Sequence, residues 1–93
     1  MEANIQSKII KFLKKKGCYV IKTKPGVGTP VGCPDIVFFI EGFWGAIECK
    51  ARKNSPYRPL QKDTIAKLNN WSWCKVAHED NVDAIMLELS AIL

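Results

Sequence analysis

The chain has 93 residues, of which 47% are hydrophobic and 25% are charged, and its net charge at pH 7 is +5. This length suits one small domain with one core, over 1–93, and the hydrophobic content is too high for a disordered chain. No apolar run approaches the roughly 20 residues of a membrane-spanning helix, and the N-terminus lacks an apolar secretory block. We therefore expect a cytoplasmic protein that has no membrane contact. The positive charge favours a polyanionic partner such as nucleic acid.

Cysteine spacing argues against a zinc site. Cys18, Cys33, Cys49 and Cys74 form no Cys-x-x-Cys pair, and His78 is the only histidine. Without a secretory segment, we expect free thiols that serve mostly as small core residues.

The first 22 residues predict a helix followed by a strand. Apolar residues recur at helical spacing over 3–16, and the core face carries Ile5, Ile9, Phe12 and Leu13. Three lysines, Lys14 to Lys16, suit the negative end of the helix dipole, and Gly17 can end the helix. Residues 18–22 are β-branched or aromatic and predict a first strand.

Residues 23–32 contain three glycines and two prolines, which predicts a loop. Gly26 is not followed by the Gly-Lys-Ser/Thr of a phosphate-binding loop, and no third glycine completes a dinucleotide motif. We expect no nucleotide cofactor. Beyond this loop, 35–40 and 43–50 predict two strands joined by a turn at Glu41–Gly42, which makes an antiparallel hairpin.

The last third predicts helix, strand and helix. The first of these helices has Pro59 in its first turn, ends near Asn69–Asn70, and faces inward with Leu60, Ile65 and Leu68. Alternation over 71–77 predicts a strand. The final helix, 81–92, has Asn81 or Asp80 as its N-cap and a core face of Val82, Ile85, Met86 and Leu89. The fold class is α/β, an α+β sandwich with element order α-β-β-β-α-β-α and a mixed sheet flanked by helices.

Three charged residues should meet at one end of this sheet. Residues i and i+2 of a strand share a face, so Glu48 and Lys50 lie about 7 Å apart. The hairpin brings Asp35, at the start of its first strand, beside the end of the second. Paired carboxylates offer the hard oxygen ligands that Mg²⁺ prefers, the Cys49 carbonyl could add another, and a lysine beside them can orient water or stabilise transition-state charge. Two carboxylates and a lysine in this arrangement are suited to metal-assisted phosphodiester hydrolysis.

The motif resembles that of a known nuclease superfamily. Gly32-Cys33-Pro34-Asp35, a hairpin of 12 residues and then Glu48-Cys49-Lys50 look like the PD-(D/E)XK pattern. Glu2, near the start of the first helix, and Gln61, which opens the helix after the Glu-x-Lys strand, resemble the VRR-NUC group of virus-type replication-repair nucleases. Asn69-Asn70-Trp71 departs from that group, in which a glycine tends to follow this helix.

The resemblance implies a role for each site residue. Asp35 and Glu48 would be ligands of Mg²⁺ or Mn²⁺, with the Cys49 carbonyl and Glu2 as further ligands. Lys50 would be the catalytic lysine, supported by Gln61. Glu2 also reads as an acid that stabilises a helix N-terminus, and Gln61 as an ordinary early-helix polar residue. A purely structural alternative makes Asp35 a turn cap and Glu48–Lys50 a surface ion pair.

The implied function is that of a metal-dependent, structure-specific DNA endonuclease acting in DNA repair. It would resolve four-way (Holliday) junctions as a homodimer, because two symmetric sites match the two strands to be cut, and a small domain gains stability from a second copy. The resemblance places it in the cytoplasm of a bacterium or a virus-infected host cell. The alternatives are a flap or nicking nuclease, an inactive nuclease fold that only binds DNA, and a protein-binding module.

Basic residues on or beside the loops that flank the site would hold phosphates on either side of the cut. They are Lys22, Lys24, Arg52, Lys53, Arg58 and Lys62. Tyr57 and the three tryptophans could stack on unpaired bases, although at least two of the tryptophans should lie in the core or in an interface.

Overall fold

The computed structural model describes residues 2–93 as three helices and four strands. In chain order these are α1 (Glu2–Lys15), β1 (Tyr19–Lys22), β2 (Ile36–Ile40), β3 (Phe43–Cys49), α2 (Gln61–Trp71), β4 (Cys74–Ala77) and α3 (Val82–Ile92). The predicted order and the α/β class are confirmed.

The strands form one mixed sheet in the order β1-β2-β3-β4. The β1–β2 and β2–β3 pairs are antiparallel, and the second is the predicted hairpin, with Ile36 opposite Ile47. β4 runs parallel to β3, because the chain crosses between them through α2. Because β2 and β3 are antiparallel, the start of β2 and the end of β3, which carry the two halves of the site motif, lie at the same end of the sheet.

The core lies between one face of the sheet and two helices. α1 contributes Ile5, Ile9 and Leu13 at helical spacing, and α3 contributes Val82, Ile85 and Leu89. Against them pack the inward side chains of β2 and β3, namely Ile36, Phe38, Ile47 and Cys49. The alternation of a strand then turns Glu48 to the opposite face, away from this core.

The opposite face is covered only in part. α2 packs on β3 and β4, whereas the outer surface of β1 and β2 carries no element of the described chain. Tyr19, Ile21 and Phe39 are 71%, 42% and 41% exposed there. Of the tryptophans, Trp73 is buried, Trp44 is half-buried and Trp71 is 65% exposed.

The start of α2 differs from the prediction. The helix begins at Gln61, and Pro59 and Leu60 precede it. Leu60 has a left-handed backbone with φ of 65°, which directs its side chain outward, so that it is 58% exposed and not inward-facing as predicted. The loop packs tightly here: a Cβ on Gly32 would lie 2.8 Å from the Leu60 carbonyl oxygen.

The end of α2 also differs. The helix continues through Asn69 and Asn70 to Trp71, and the Ser72 N–H still donates to the Leu68 carbonyl. Asn69 does not close the helix; its Oδ1 accepts a hydrogen bond from the N–H of Cys74, the first residue of β4. The predicted strand over 71–77 is therefore shortened to its second half.

The remaining predictions mostly hold. Asn81 precedes α3 as predicted, but its side chain does not cap the helix; Oδ1 accepts from the His78 N–H and Nδ2 donates to the Val76 carbonyl. Met86 is half-buried beside the buried core face of α3. All four cysteines are free thiols. Within 2–93, no helix combines the length and the apolar character needed to cross a membrane.

Gly45 is expected to be essential for packing. It lies opposite Phe38 in the hairpin, and a Cβ at Gly45 would overlap the fully buried Phe38 ring and lie 3.1 Å from the Trp73 carbonyl oxygen. We expect Gly45→Ala to lower the free energy of unfolding by about 3 kcal/mol, at the upper end for overpacked cores. Denaturant-induced unfolding measures this change.

The control is Gly42→Asn at the hairpin turn. Gly42 has φ of 80° and open space around it, and asparagine tolerates this conformation. We expect a loss of about 1 kcal/mol, the cost of a left-handed conformation in a residue other than glycine, and therefore well below that of Gly45→Ala. Equal stability losses in the two variants would contradict the packing argument.

Candidate active site

Three carboxylates meet at one edge of the sheet. Asp35 directly precedes β2, Glu48 is the penultimate residue of β3, and Glu2 is the first residue of α1. One carboxylate oxygen from each lies within 4.8 Å of the others. The structure therefore brings together the predicted side-chain ligands, Glu2 included.

Backbone hydrogen bonds hold Asp35 in this place. Its Oδ2 accepts from the Cys49 N–H at 2.9 Å, which ties the start of β2 to the end of β3. On the other side, the Thr23 N–H donates to the Asp35 carbonyl at 2.8 Å, and Thr23 Oγ1 donates to the Pro34 carbonyl at 2.7 Å. The long loop between β1 and β2 is thus closed at its base by Thr23.

Lys50 is buried and firmly positioned. Its Nζ lies 3.2 Å from Glu48 Oε2 and donates to Gln61 Oε1 at 2.8 Å and to the Pro56 carbonyl at 3.0 Å. The same Nζ lies 5.0 Å from the centre of the Tyr57 ring, a cation–π contact. The ammonium group therefore points at the carboxylates and not into solvent.

Gln61 is fully buried and connects Lys50 to the segment before α2. Its Oε1 accepts from Lys50 Nζ and from the Arg58 N–H at 2.9 Å. Its Nε2 has no hydrogen-bond partner among residues 2–93. These contacts go beyond those of an ordinary polar residue at the start of a helix.

Burial disfavours the ionised form of the Glu48 carboxyl group. Its pKa is raised, first by loss of water and second by the neighbouring charge of Asp35, which together outweigh the opposite effect of Lys50. Both oxygens lack a hydrogen-bond partner within the described chain, although Lys50 lies close. Burial also raises the pKa of the Cys49 thiol, so its sulfur stays protonated. The ligand atom that the resemblance implies for Cys49 is its backbone carbonyl oxygen.

The predicted basic residues differ in their distance from the carboxylates. Arg58 is the nearest, with Nη2 3.4 Å from Asp35 Oδ1 and 3.7 Å from Glu48 Oε2. Together with Lys22, it lines a cleft of about 580 Å³ that also contains the three carboxylates and Lys50.

The other four predicted cations lie farther out. Lys53 and Lys62 line an adjoining cleft, and Lys62 Nζ lies 5.2 Å from the centre of the Tyr57 ring. Lys24 and Arg52 are exposed on the loops beside these clefts. Four of the six predicted cations thus line the two clefts beside the carboxylates.

Sequence patterns did not indicate several contacts of this site. The clamp of Thr23 on the Asp35 loop, the Pro56 carbonyl and the ring of Tyr57 beneath Lys50 all depend on how 51–60 folds back over β3. One indication was present in the sequence. If Gln61 lies beside Lys50, the ten residues between them must fold back toward the lysine.

Comparisons with known proteins agree with the fold. The family model of the archaeal Holliday junction resolvase (Hjc) matches residues 3–80. A solved VRR_NUC domain is similar, with a TM-score of 0.72 and 20% sequence identity over 91% of this chain and 92% of that one. The structure of Archaeoglobus fulgidus Hjc, a Holliday junction resolvase from an archaeal hyperthermophile, has a TM-score of 0.59 and 24% identity over 82% of this chain and 66% of that one.

The comparison with curated proteins gives no match. The resemblance to nucleases of the PD-(D/E)XK type is confirmed, whereas the bacterial or viral setting stays a prediction. Because the family model covers most of its length, the chain belongs to the archaeal Holliday junction resolvase family.

Proposed function

We propose that this protein is a structure-specific DNA endonuclease that cuts four-way junctions. The observation that carries the proposal is the convergence of Glu2, Asp35 and Glu48 beside a buried Lys50, in a chain of the Holliday junction resolvase family. Phosphodiester hydrolysis needs groups that bind phosphate and stabilise added negative charge, and this cleft holds both acidic and basic groups.

We further propose that the carboxylates bind Mg²⁺ or Mn²⁺. Glu48 fits this role because its buried oxygens make no hydrogen bond within 2–93, and Lys50 at 3.2 Å compensates only part of the negative charge of Glu48 and Asp35. Asp35 and Glu2 add oxygens within reach of the same ion. When bound, such an ion polarises the phosphate and makes water a stronger nucleophile at neutral pH.

The side chains around the carboxylates have distinct roles in this proposal. Lys50 places an ammonium beside the scissile phosphate and stabilises the charge that develops there. Gln61 and the Pro56 carbonyl hold that ammonium in position. Arg58 is half exposed beside the acids and binds a phosphate of the substrate.

A homodimer completes the proposal. A four-way junction must be cut in two strands, and a two-fold dimer presents two equivalent sites. The outer face of β1 and β2 offers an apolar surface for the second copy, with Tyr19, Ile21 and Phe39 exposed. These apolar and aromatic side chains suit contact with a second copy better than contact with the phosphates of DNA.

The first test separates catalysis from binding. We expect Asp35→Asn and Lys50→Met to lower the cleavage rate by about 10² to 10³ or more, because each removes a charge that acts on the reacting phosphate. Junction binding in chelator should survive in both variants. The assay uses labelled four-way junction, 5′ flap, single strand and linear duplex, each with Mg²⁺, Mn²⁺ or chelator.

The control is Lys75→Gln, which changes a lysine outside the site, and thermal unfolding checks that every variant is folded. Preferential cutting of the flap would favour a flap nuclease. Binding without cutting by the folded wild-type protein would indicate an inactive nuclease fold. Full turnover by Lys50→Met would remove Lys50 from the mechanism.

The second test concerns the charge of Glu48. Since its folded-state pKa is raised, the folded chain holds the proton more tightly than the unfolded chain, and stability falls as the pH rises from about 4.5 through the raised pKa. In chelator, we expect Glu48→Gln to be more stable than wild type at pH 8 and to lose this advantage at pH 4.

Divalent ions should reverse the order of stability. An ion at 100 times its Kd stabilises the wild type by about 2.7 kcal/mol, whereas Glu48→Gln should gain far less. Thermal unfolding with and without Mg²⁺ or Mn²⁺ measures both effects. Equal stabilisation of the two proteins would place the ion away from Glu48.

The third test concerns the dimer. We expect the wild type to have twice the mass of the 10.5 kDa chain by light scattering, and Phe39→Lys to be a monomer, because a charge in an apolar interface is costly. Leu87→Lys, at a residue 74% exposed on α3, is the matched control and should stay dimeric. A monomeric wild type at concentrations that cut junctions would contradict the proposed dimer.

A further inference from the structure

Charge is strongly segregated along this chain. Residues 3–34 contain seven lysines and no acidic residue, whereas 78–93 contain four acidic residues and no lysine or arginine. α1, in the first segment, and α3, in the second, are neighbours on the same face of the sheet. The molecule therefore has one basic and one acidic flank, a polarity that the net charge does not reveal.

The basic flank is concentrated on the outer surface of α1. Lys8, Lys11 and Lys15 follow one another at helical spacing and lie on the face opposite the buried side chains of the helix, with Lys14 beside them. All four are exposed. We call them the lysine stripe.

Local helix energetics account for only part of the lysine stripe, because Lys14 and Lys15 lie in the last turn and Lys8 and Lys11 do not. An ordinary solvated helix face gains from pairs of opposite charge at i and i+4, but here like charges face each other, as in Lys11 and Lys15, and repel by a few tenths of a kcal/mol per pair. Within 2–93, Lys8 pairs with Asp83 at 2.8 Å, and no ion pair involves Lys11, Lys14 or Lys15. The helix dipole favours only the lysines of the last turn.

The lysine stripe leads away from the candidate active site. α1 begins with Glu2, whose carboxylate belongs to the acidic cluster. With a rise of about 1.5 Å per residue, Lys11 lies about 14 Å and Lys15 about 20 Å along the helix axis from Glu2. Duplex DNA rises about 3.4 Å per base pair, so these positions match phosphates roughly four to six base pairs from the cut.

We propose that Lys11, Lys14 and Lys15 form a second phosphate-binding surface, which holds one arm of the DNA along α1. The inference rests on the proposed function, because it takes the acidic cluster as the place of cutting. It adds a surface distinct from the loop residues that flank the cluster, and its partner is the duplex backbone. A polyanion there also removes the repulsion among the lysines.

Salt dependence of junction binding tests this surface. We expect the triple variant Lys11→Gln/Lys14→Gln/Lys15→Gln, measured in chelator, to bind the four-way junction about tenfold or more weakly near 0.1 M salt. The slope of log K against log salt should fall by about 2.7, since each lost phosphate contact removes about 0.9. Thermal unfolding should change little, because the repulsion removed among the lysines and the lost interaction of Lys14 and Lys15 with the helix dipole have opposite signs.

The matched control is Lys67→Gln/Lys75→Gln. Lys67 on α2 and Lys75 on β4 lie outside the candidate active site, its flanking loops and α1, so we expect the wild-type slope. A drop in slope equal to that of the triple variant, per charge removed, would show a general charge effect and overturn the proposal.

A second experiment locates the contact on the DNA by replacing charged phosphates with uncharged linkages. Junctions with uncharged methylphosphonate linkages four to six base pairs from the mapped cleavage position should bind more weakly to the wild type but should change binding by the triple variant little, since the two changes remove the same contact. Additive losses would overturn the proposal while leaving the nuclease intact. A wild type that neither binds nor cuts a junction would instead overturn the proposed function.

Discussion

The burial of Glu48 is the constraint on which this structure depends. Its side chain is 1% exposed, between Asp35 and the Lys50 ammonium, and its oxygens have no hydrogen-bond donor within the described chain. Removing a carboxylate from water costs several kcal/mol unless charge and hydrogen bonds compensate. Lys50 supplies part of that compensation, and its own ammonium is bound by Gln61 and the Pro56 carbonyl. The site is therefore built as one coupled unit, and no single residue in it can be changed without affecting the others.

The fold can hold this group because β3 is buried on both faces. One face of the strand carries Ile47 and Cys49 into the core below α1 and α3, and the other carries Glu48 and Lys50 toward the segment before α2. The apolar core supplies the stability that the buried charge removes. Coverage by α2 reaches only β3 and β4, so the outer surface of β1 and β2 remains apolar and exposed. The same topology thus produces both the candidate active site and the proposed dimer face.

Sequence patterns predicted the parts of the fold that depend on local periodicity. The hairpin turn at Glu41–Gly42 fixes the register of β2 and β3, and the register alone brings Asp35 beside Glu48. The helical spacing in α1 predicted its buried face, because burial is periodic in an amphipathic helix. Neither inference needed knowledge of distant contacts.

The segment from Lys50 to Gln61 could not be predicted in this way. Pro59 is compatible both with a first helical turn and with the extended chain that precedes one, and the left-handed conformation of Leu60 is set by the packing of the Gly32 loop against it. The Arg58 side chain reaches the carboxylates only because that segment folds back over β3. Contacts made by a segment that folds back depend on tertiary packing. They produce no periodic pattern in the sequence.

The two basic surfaces give a physical reason for preferring branched DNA. Lys53, Arg58 and Lys62 line the cleft on the side where α2 packs, whereas the lysine stripe follows α1 on the opposite face of the sheet. Phosphate contacts carry no sequence information, so they select by the path of the backbone. A straight duplex can follow only one of two surfaces that lie on opposite faces, whereas a branched DNA sends its arms from the cut in different directions and can contact both. In this proposal, the placement of charge by two helices makes the enzyme specific for structure without reading any base.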